Sequence, residues 1–167
     1  AAIAAIEQNV RDHLGEPLKA LDQQIVELEK QVKAKSGQYP AEFGYHSEIA
    51  GQPDAEKWVQ VELPAMTNLK EIVLRPCHDD FNGIGDGFGF PSTFRIEIAD
   101  DAAFTSNVQT VATKSVDNPR LNAVRLPVDL QSARVIRVTA TRLAPRMNDY
   151  ILALAELEAV TPAGDNV

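Results

Sequence analysis

Trp58-Val59-Gln60-Val61-Glu62-Leu63 is the stretch on which the fold reading turns. In an extended chain Trp58, Gln60 and Glu62 share one face, and Val59, Val61 and Leu63 share the other. A period of two belongs to a β-strand with one buried side, because successive Cβ atoms point to opposite faces. Similar segments recur downstream at 69–74, 94–98, 108–112, 123–126, 135–140 and 152–160. Clusters of Pro, Gly, Asn and Asp separate them. Short strands divided by such turns predict an antiparallel sandwich or barrel, with Trp58 packed against it.

Upstream the period changes. Ile3, Ile6, Val10, Leu14, Leu18, Leu21, Ile25, Leu28 and Val32 step by three or four, and from Leu14 the steps alternate as in an a/d seam. Gly15 and Pro17 interrupt this run. Pro17 lacks an amide proton and suits the first turn of a new helix. The pattern predicts helices over 2–13 and 17–35, as an α-helical hairpin or one kinked coiled-coil segment. Gly37 and Pro40 close it. The expected organisation is a helical segment at 1–37, a linker at 38–44, the sandwich at 45–161 and a tail at 162–167.

Composition narrows the function classes. Of 167 residues 44% are hydrophobic, enough for a core, and the formal charge is −8. An acidic chain is repelled by nucleic acid and anionic lipid, so neither is an expected partner. No run approaches the roughly 18 apolar residues of a membrane span. The first residues carry no signal-peptide pattern. Cys77 is the single cysteine, which excludes an internal disulfide. Cys77-His78-Asp79-Asp80 lacks a second Cys/His pair for zinc, and a buried thiol at a strand end is expected. There is no nucleophile elbow, HExxH or Cys/His triad, so an enzyme is not expected.

The ordered strand motifs carry a resemblance. Trp58-Val59-Gln60-Val61-Glu62-Leu63, Leu69 to Pro76, Pro91 to Asp101, Ala133-Arg134-Val135-Ile136-Arg137-Val138 and Ala153-Leu154-Ala155-Glu156-Leu157-Glu158 stand in this order. Together they resemble the discoidin or coagulation-factor C-type family of galactose-binding-like jelly-roll β-sandwiches, in its bacterial carbohydrate-binding-module form. The resemblance implies a non-catalytic module that binds ligand through loops at one end. It also implies a secreted, periplasmic or cell-surface parent protein. Many animal members join their ends by a disulfide, which a single cysteine rules out here. The family's calcium loop precedes the Trp strand, where only Asp54, with the later Glu156, matches an acidic ligand.

Two loops carry the candidate ligand residues. The first runs from Cys77 to Pro91, with glycines at 83, 85, 87 and 89 and the side chains of His78, Asp79, Asp80, Asn82, Asp86 and Phe88. Glycine lets the backbone take positive φ and approach a ligand closely. Phenylalanines offer a face to sugar C–H groups. Phe88 and Phe90, one residue apart, are expected to point the same way. A phosphate loop fails, because no helix follows and aspartates repel phosphate. Asp79, Asp80, Asn82 and Asp86, with Glu156, could instead offer hard oxygens to Ca2+. The loop could also simply plug the barrel end. The second loop holds Arg142, Arg146, Asn148, Asp149 and Tyr150. Arg146 can grip hydroxyls as a fork or pair with Asp149. Tyr45 and His46 are further candidates.

The leading expectation is a carbohydrate-binding accessory module whose partners are a glycan and other domains of a larger protein. The alternative is a structural or protein-interaction module whose heptad helices drive packing or self-association. A glycosidase fragment is a third class, for which no carboxylate pair stands out.

Overall fold

The computed structural model describes Leu21, Gln23, Gln24, Glu27 and residues 44–167. Leu21, Gln23, Gln24 and Glu27 are α-helical and exposed. Otherwise the expected helices over 2–13 and 17–35 lie outside the described residues. The chain divides into two compact units, Ala1–Tyr39 and Pro40–Val167.

The second unit is mainly antiparallel β and consistent with a sandwich. Its strands are β1 (Tyr45–His46), β2 (Lys57–Arg75), β3 (Cys77–Asp79), β4 (Gly85–Phe88), β5 (Thr93–Ala99), β6 (Gln109–Ser115), β7 (Val124–Arg142), β8 (Ala144–Pro145), β9 (Tyr150–Ile151), β10 (Ala153–Leu154) and β11 (Glu156–Val160). The main sheet has the order β11-β2-β7-β5-β6. Three two-stranded pairs, β1-β10, β3-β4 and β8-β9, complete it.

Two pairs of expected strands are fused. Segments 58–63 and 69–74 are halves of β2, and 123–126 and 135–140 are halves of β7. The two long strands pair antiparallel, with register shifts at Glu62/Thr67 and Leu69/Glu71. Pro64, which has no N–H, sits in the first irregularity. Arg134 braces it by donating to Glu62 Oε1 and to the Pro64 carbonyl. At the second, Asp129 and Leu130 take φ of 42° and 57°. Such bulges bend a strand and interrupt its alternation without ending it, which is why the sequence reads as separate strands.

Leu63, Leu69, Ile72 and Leu74 from β2 meet Phe94, Ile96 and Ile98 from β5 in one buried cluster. Leu126, Ile136, Val138 and Ala140 of β7 join it. Phe90 meets Phe94 edge to face, with ring centroids 5.8 Å apart. Burying each such side chain contributes about 1.5–3 kcal/mol.

Trp58 does not pack inward as expected. It is 50% exposed, and the Arg137 guanidinium lies 4.4 Å from its ring centroid. Arg137 also covers Phe104 at 3.7 Å. The segment expected as a tail folds back: Val160 bridges Asn166, and the Ala159 amide donates to Asn166 Oδ1. That covers part of the β11 edge, which would otherwise expose unpaired backbone groups.

Candidate functional site

The loops at one end of the unit are stitched together by backbone hydrogen bonds. Ala50 and Tyr150 exchange N–H···O bonds of 2.9 Å, and the Leu143 amide donates to Pro53 O at 2.7 Å. The Ser47 amide donates to Leu152 O, and the Leu152 amide to Ser47 Oγ. The 47–53 loop is therefore a brace for 143–152.

Within the 77–91 loop, residues 77–88 form a hairpin. β3 and β4 pair with His78 opposite Asp86 and Asp79 opposite Gly85. A 3₁₀ turn, Phe81–Gly83, joins them. The buried Asp79 carboxylate accepts the Phe81 amide at 2.8 Å, closing the turn. Gly83, Gly85, Gly87 and Gly89 all have positive φ, as the sequence suggests. The close approaches they allow are internal. A Cβ on Gly87 would lie 1.8 Å from Asn118 Oδ1, and one on Gly89 would lie 2.5 Å from the Ala153 Cβ.

His78 is held between two carboxylates. Its Nδ1 is 2.6 Å from Asp86 Oδ1 and its Nε2 is 3.3 Å from Asp80 Oδ1. The hydrogen bond to Asp86, with the charge of Asp80, holds its pKa above the ordinary histidine value.

The second loop meets the hairpin through Arg146. Its Nε and Nη2 donate to the two oxygens of Asp149 at 3.0 and 2.9 Å. That fork holds the Asp149 carboxyl below the usual carboxylate range. The same guanidinium lies 4.6 Å from the Phe81 ring centroid. Arg146 Nη1 has no acceptor among the described residues. Phe81 is 39% exposed, so it presents ring surface beside a charged donor. Asn82 and Asn148 are exposed nearby in sequence, and Tyr150 is half-buried.

Several expected residues fall elsewhere. Phe88 is 2% exposed and packs with Cys77, Ile151 and Ala153, so its ring cannot meet a ligand. Phe90 enters the other, larger cluster, so the two rings do not point the same way. Gly89, at φ +66°, breaks the strand alternation that would align them. His46 lies against Phe88, with ring centroids 5.4 Å apart, and its buried Nε2 has no partner among the described residues. The Tyr45 hydroxyl is engaged in donating to Trp58 O. Arg142 lines a separate cleft.

The expected calcium ligands do not converge. Asp79 serves the turn, Asp80 and Asp86 serve His78, and Glu156 lies 3.7 Å from Arg75. Among the described residues, no group of three or more His, Cys, Asp or Glu side chains could hold a metal. The sequence counts Phe81 among three loop phenylalanines that could face a sugar but singles out Phe88, whereas Phe81 is the one of the three left exposed. The signal was its setting: it stands in Asp79-Asp80-Phe81-Asn82-Gly83, while Phe88 and Phe90 lead into an apolar strand.

No family model matches the chain, and no curated protein sequence matches it. Solved structures do. The family 32 carbohydrate-binding module of Clostridium perfringens NanJ, in complex with galactose, is 18% identical with a TM-score of 0.52. That match covers 72% of this chain and 84% of the module. CBM32-3 from a family 31 glycoside hydrolase of Clostridium perfringens is 19% identical with a TM-score of 0.52. It covers 67% of this chain and 70% of that one. The ordered strand motifs and this likeness agree: the chain has the discoidin-type, galactose-binding-like fold of bacterial family 32 carbohydrate-binding modules.

Proposed function

We propose that the sandwich is a non-catalytic carbohydrate-binding module whose site lies where the 77–88 hairpin meets the 143–150 loop. The observation that carries this reading is the Arg146 guanidinium over the half-exposed Phe81 ring. An aromatic face accepts the C–H side of a pyranose, and a fixed guanidinium donates to its hydroxyls. The bidentate bond to Asp149 holds that donor in place before ligand arrives, which lowers the ordering cost of binding. Asn82, Asn148 and Tyr150 offer further hydrogen-bonding groups on the same two loops. The fold shared with a module solved in complex with galactose supports the same reading.

In this reading the module holds a larger secreted or cell-surface bacterial protein to a glycan and does no chemistry itself. Among the described residues no helix is long and apolar enough to cross a membrane. The test is a glycan array followed by calorimetric titration of the full chain and its Arg146→Ala and Phe81→Ala variants. A saturable glycan signal lost in both variants is expected. Silence across plant and marine polysaccharides and animal glycans would sink the reading.

A second reading, self-association through the helical segment, draws on one observation. Leu21, on the heptad seam, is helical and 54% exposed. Sedimentation of the full chain beside Leu21→Asp tests it: a dimer dissociated by the substitution supports it, and a monomer in both dismisses it.

A further inference from the structure

A polar cleft of about 410 Å³ opens where β5 begins and where β6 and β7 end. Ser92, Thr93, Ser115, Val116, Asp117 and Arg142 line it. Its volume falls in the range of about 300–1,000 Å³ typical of small-molecule sites. It shares none of these residues with the Phe81–Arg146 site. We propose that this cleft is a second pyranose subsite, in which Arg142 donates to and Asp117 accepts from neighbouring hydroxyls of a neutral sugar. The proposal rests on the carbohydrate-binding reading above.

Charge argues for a neutral polyol. Every other arginine of the sandwich except Arg120 is held by a carboxylate or amide side chain. The Arg142 side chain has no acceptor, and Asp117 accepts no hydrogen bond, among the described residues. They are not paired with each other, yet they line one cleft. An anion would be repelled by Asp117 and a cation by Arg142. A hydroxyl pair satisfies both, because each hydroxyl is donor and acceptor at once.

The cleft is also preorganised. The Ser92 amide donates to Arg142 O at 3.0 Å, and the Val116 amide donates to Ser92 O at 2.9 Å. Thr93 Oγ1 and Ser115 Oγ are 3.3 Å apart, so the hydroxyls of two strands already share one bond. Asn118, next to Asp117, donates to Asp86 O at 3.0 Å. The segment carrying Asp117 is thereby tied to the hairpin of the first site, and both sites belong to the same end of the fold. Two weak contacts on one oligosaccharide multiply through effective concentration, which suits a module built to hold a polymer.

The test is amide-resolved NMR titration of the isotope-labelled full chain with galactose, glucose, mannose and xylose, and with galacturonate as the charged comparison, in the native sequence and in Arg146→Ala. The amides of Thr93, Asp117 and Arg142 are expected to shift with at least one neutral sugar in both proteins. Arg142→Ala and Asp117→Asn are each expected to weaken that response about tenfold, the loss of one charge-assisted hydrogen bond. If sugars move the Phe81 and Arg146 amides and leave the cleft amides still, the subsite is overturned and the module reading stands. If no sugar moves either set, both fall together. A cleft response to galacturonate without one to any neutral sugar overturns the neutral-sugar assignment.

Discussion

The Arg146 guanidinium lies 4.6 Å from the ring centroid of Phe81, joining two loops that are 65 residues apart in the chain. Lying over a half-exposed ring and forked onto Asp149, the cation is fixed in orientation while one of its nitrogens is left to donate. An aromatic face beside an oriented donor is the arrangement a sugar ring needs, and neither loop supplies it alone.

Phe81 and Phe88 should therefore respond in opposite ways to truncation. Covering about 50 Å² of apolar surface is worth about 1.3 kcal/mol, so Phe81→Ala is expected to lower glycan affinity roughly tenfold with the fold intact. Phe88→Ala empties a buried position and is expected to destabilise by about 3–5 kcal/mol. Titration calorimetry and urea unfolding of both variants check the pair. Equal losses of affinity at equal stability would contradict the assignment.

The hairpin should weaken as pH rises. The folded-state pKa of His78 is raised above 6.5 by Asp86 and Asp80, so the folded state holds the proton more tightly than the unfolded one. That contribution is fully present below the unfolded value of 6.5 and is lost as pH climbs through the raised folded value. Thermal unfolding measured from pH 6 upward should show a decline in the native chain. The same series in His78→Gln should be flatter. A native profile no steeper than the variant's would count against the carboxylate clamp.

Leu130 is a site where glycine should stabilise. It holds φ of 57° while 63% exposed, at the register shift of β7. Left-handed backbone costs an L-residue about 1–2 kcal/mol, and glycine escapes this at about 0.5–1 kcal/mol of chain entropy. Leu130→Gly is expected to raise stability by up to about 1 kcal/mol in urea unfolding, since little burial is lost. A clear destabilisation would show that the exposed side chain packs in solution.

Cys77 should be inert in the folded protein. It is 0% exposed, and burial, with the nearby charge of Asp79, pushes its thiol up to about 12. The thiolate that reacts with disulfide reagents is therefore scarce at neutral pH. Reaction with a disulfide reagent is expected only at the rate of unfolding, and rapid labelling under native conditions would refute the burial.

Much of the fold was legible in local patterns. Period-two alternation in Trp58 to Leu63, and the ordered segments ending at Glu158, name strands because a pleat sorts side chains by parity alone. The buried thiol and the positive φ of the loop glycines follow equally from local chemistry. Strand continuity did not, because Pro64 and the Asp129-Leu130 bulge look like strand ends when only neighbours along the chain are visible. The orientation of Trp58 was misread for a related reason: which face of an alternating strand meets the core depends on the sheet that covers it. The site shows the same division. Arg146 pairing with Asp149 is a three-residue matter that spacing reveals. Phe81 as the exposed ring, Phe88 and Phe90 parted by the turn at Gly89, and Arg142 sharing a cleft with Asp117 are outcomes of packing between distant segments. Local rules assign conformation, and only the closed tertiary arrangement assigns which side chains are left facing a ligand.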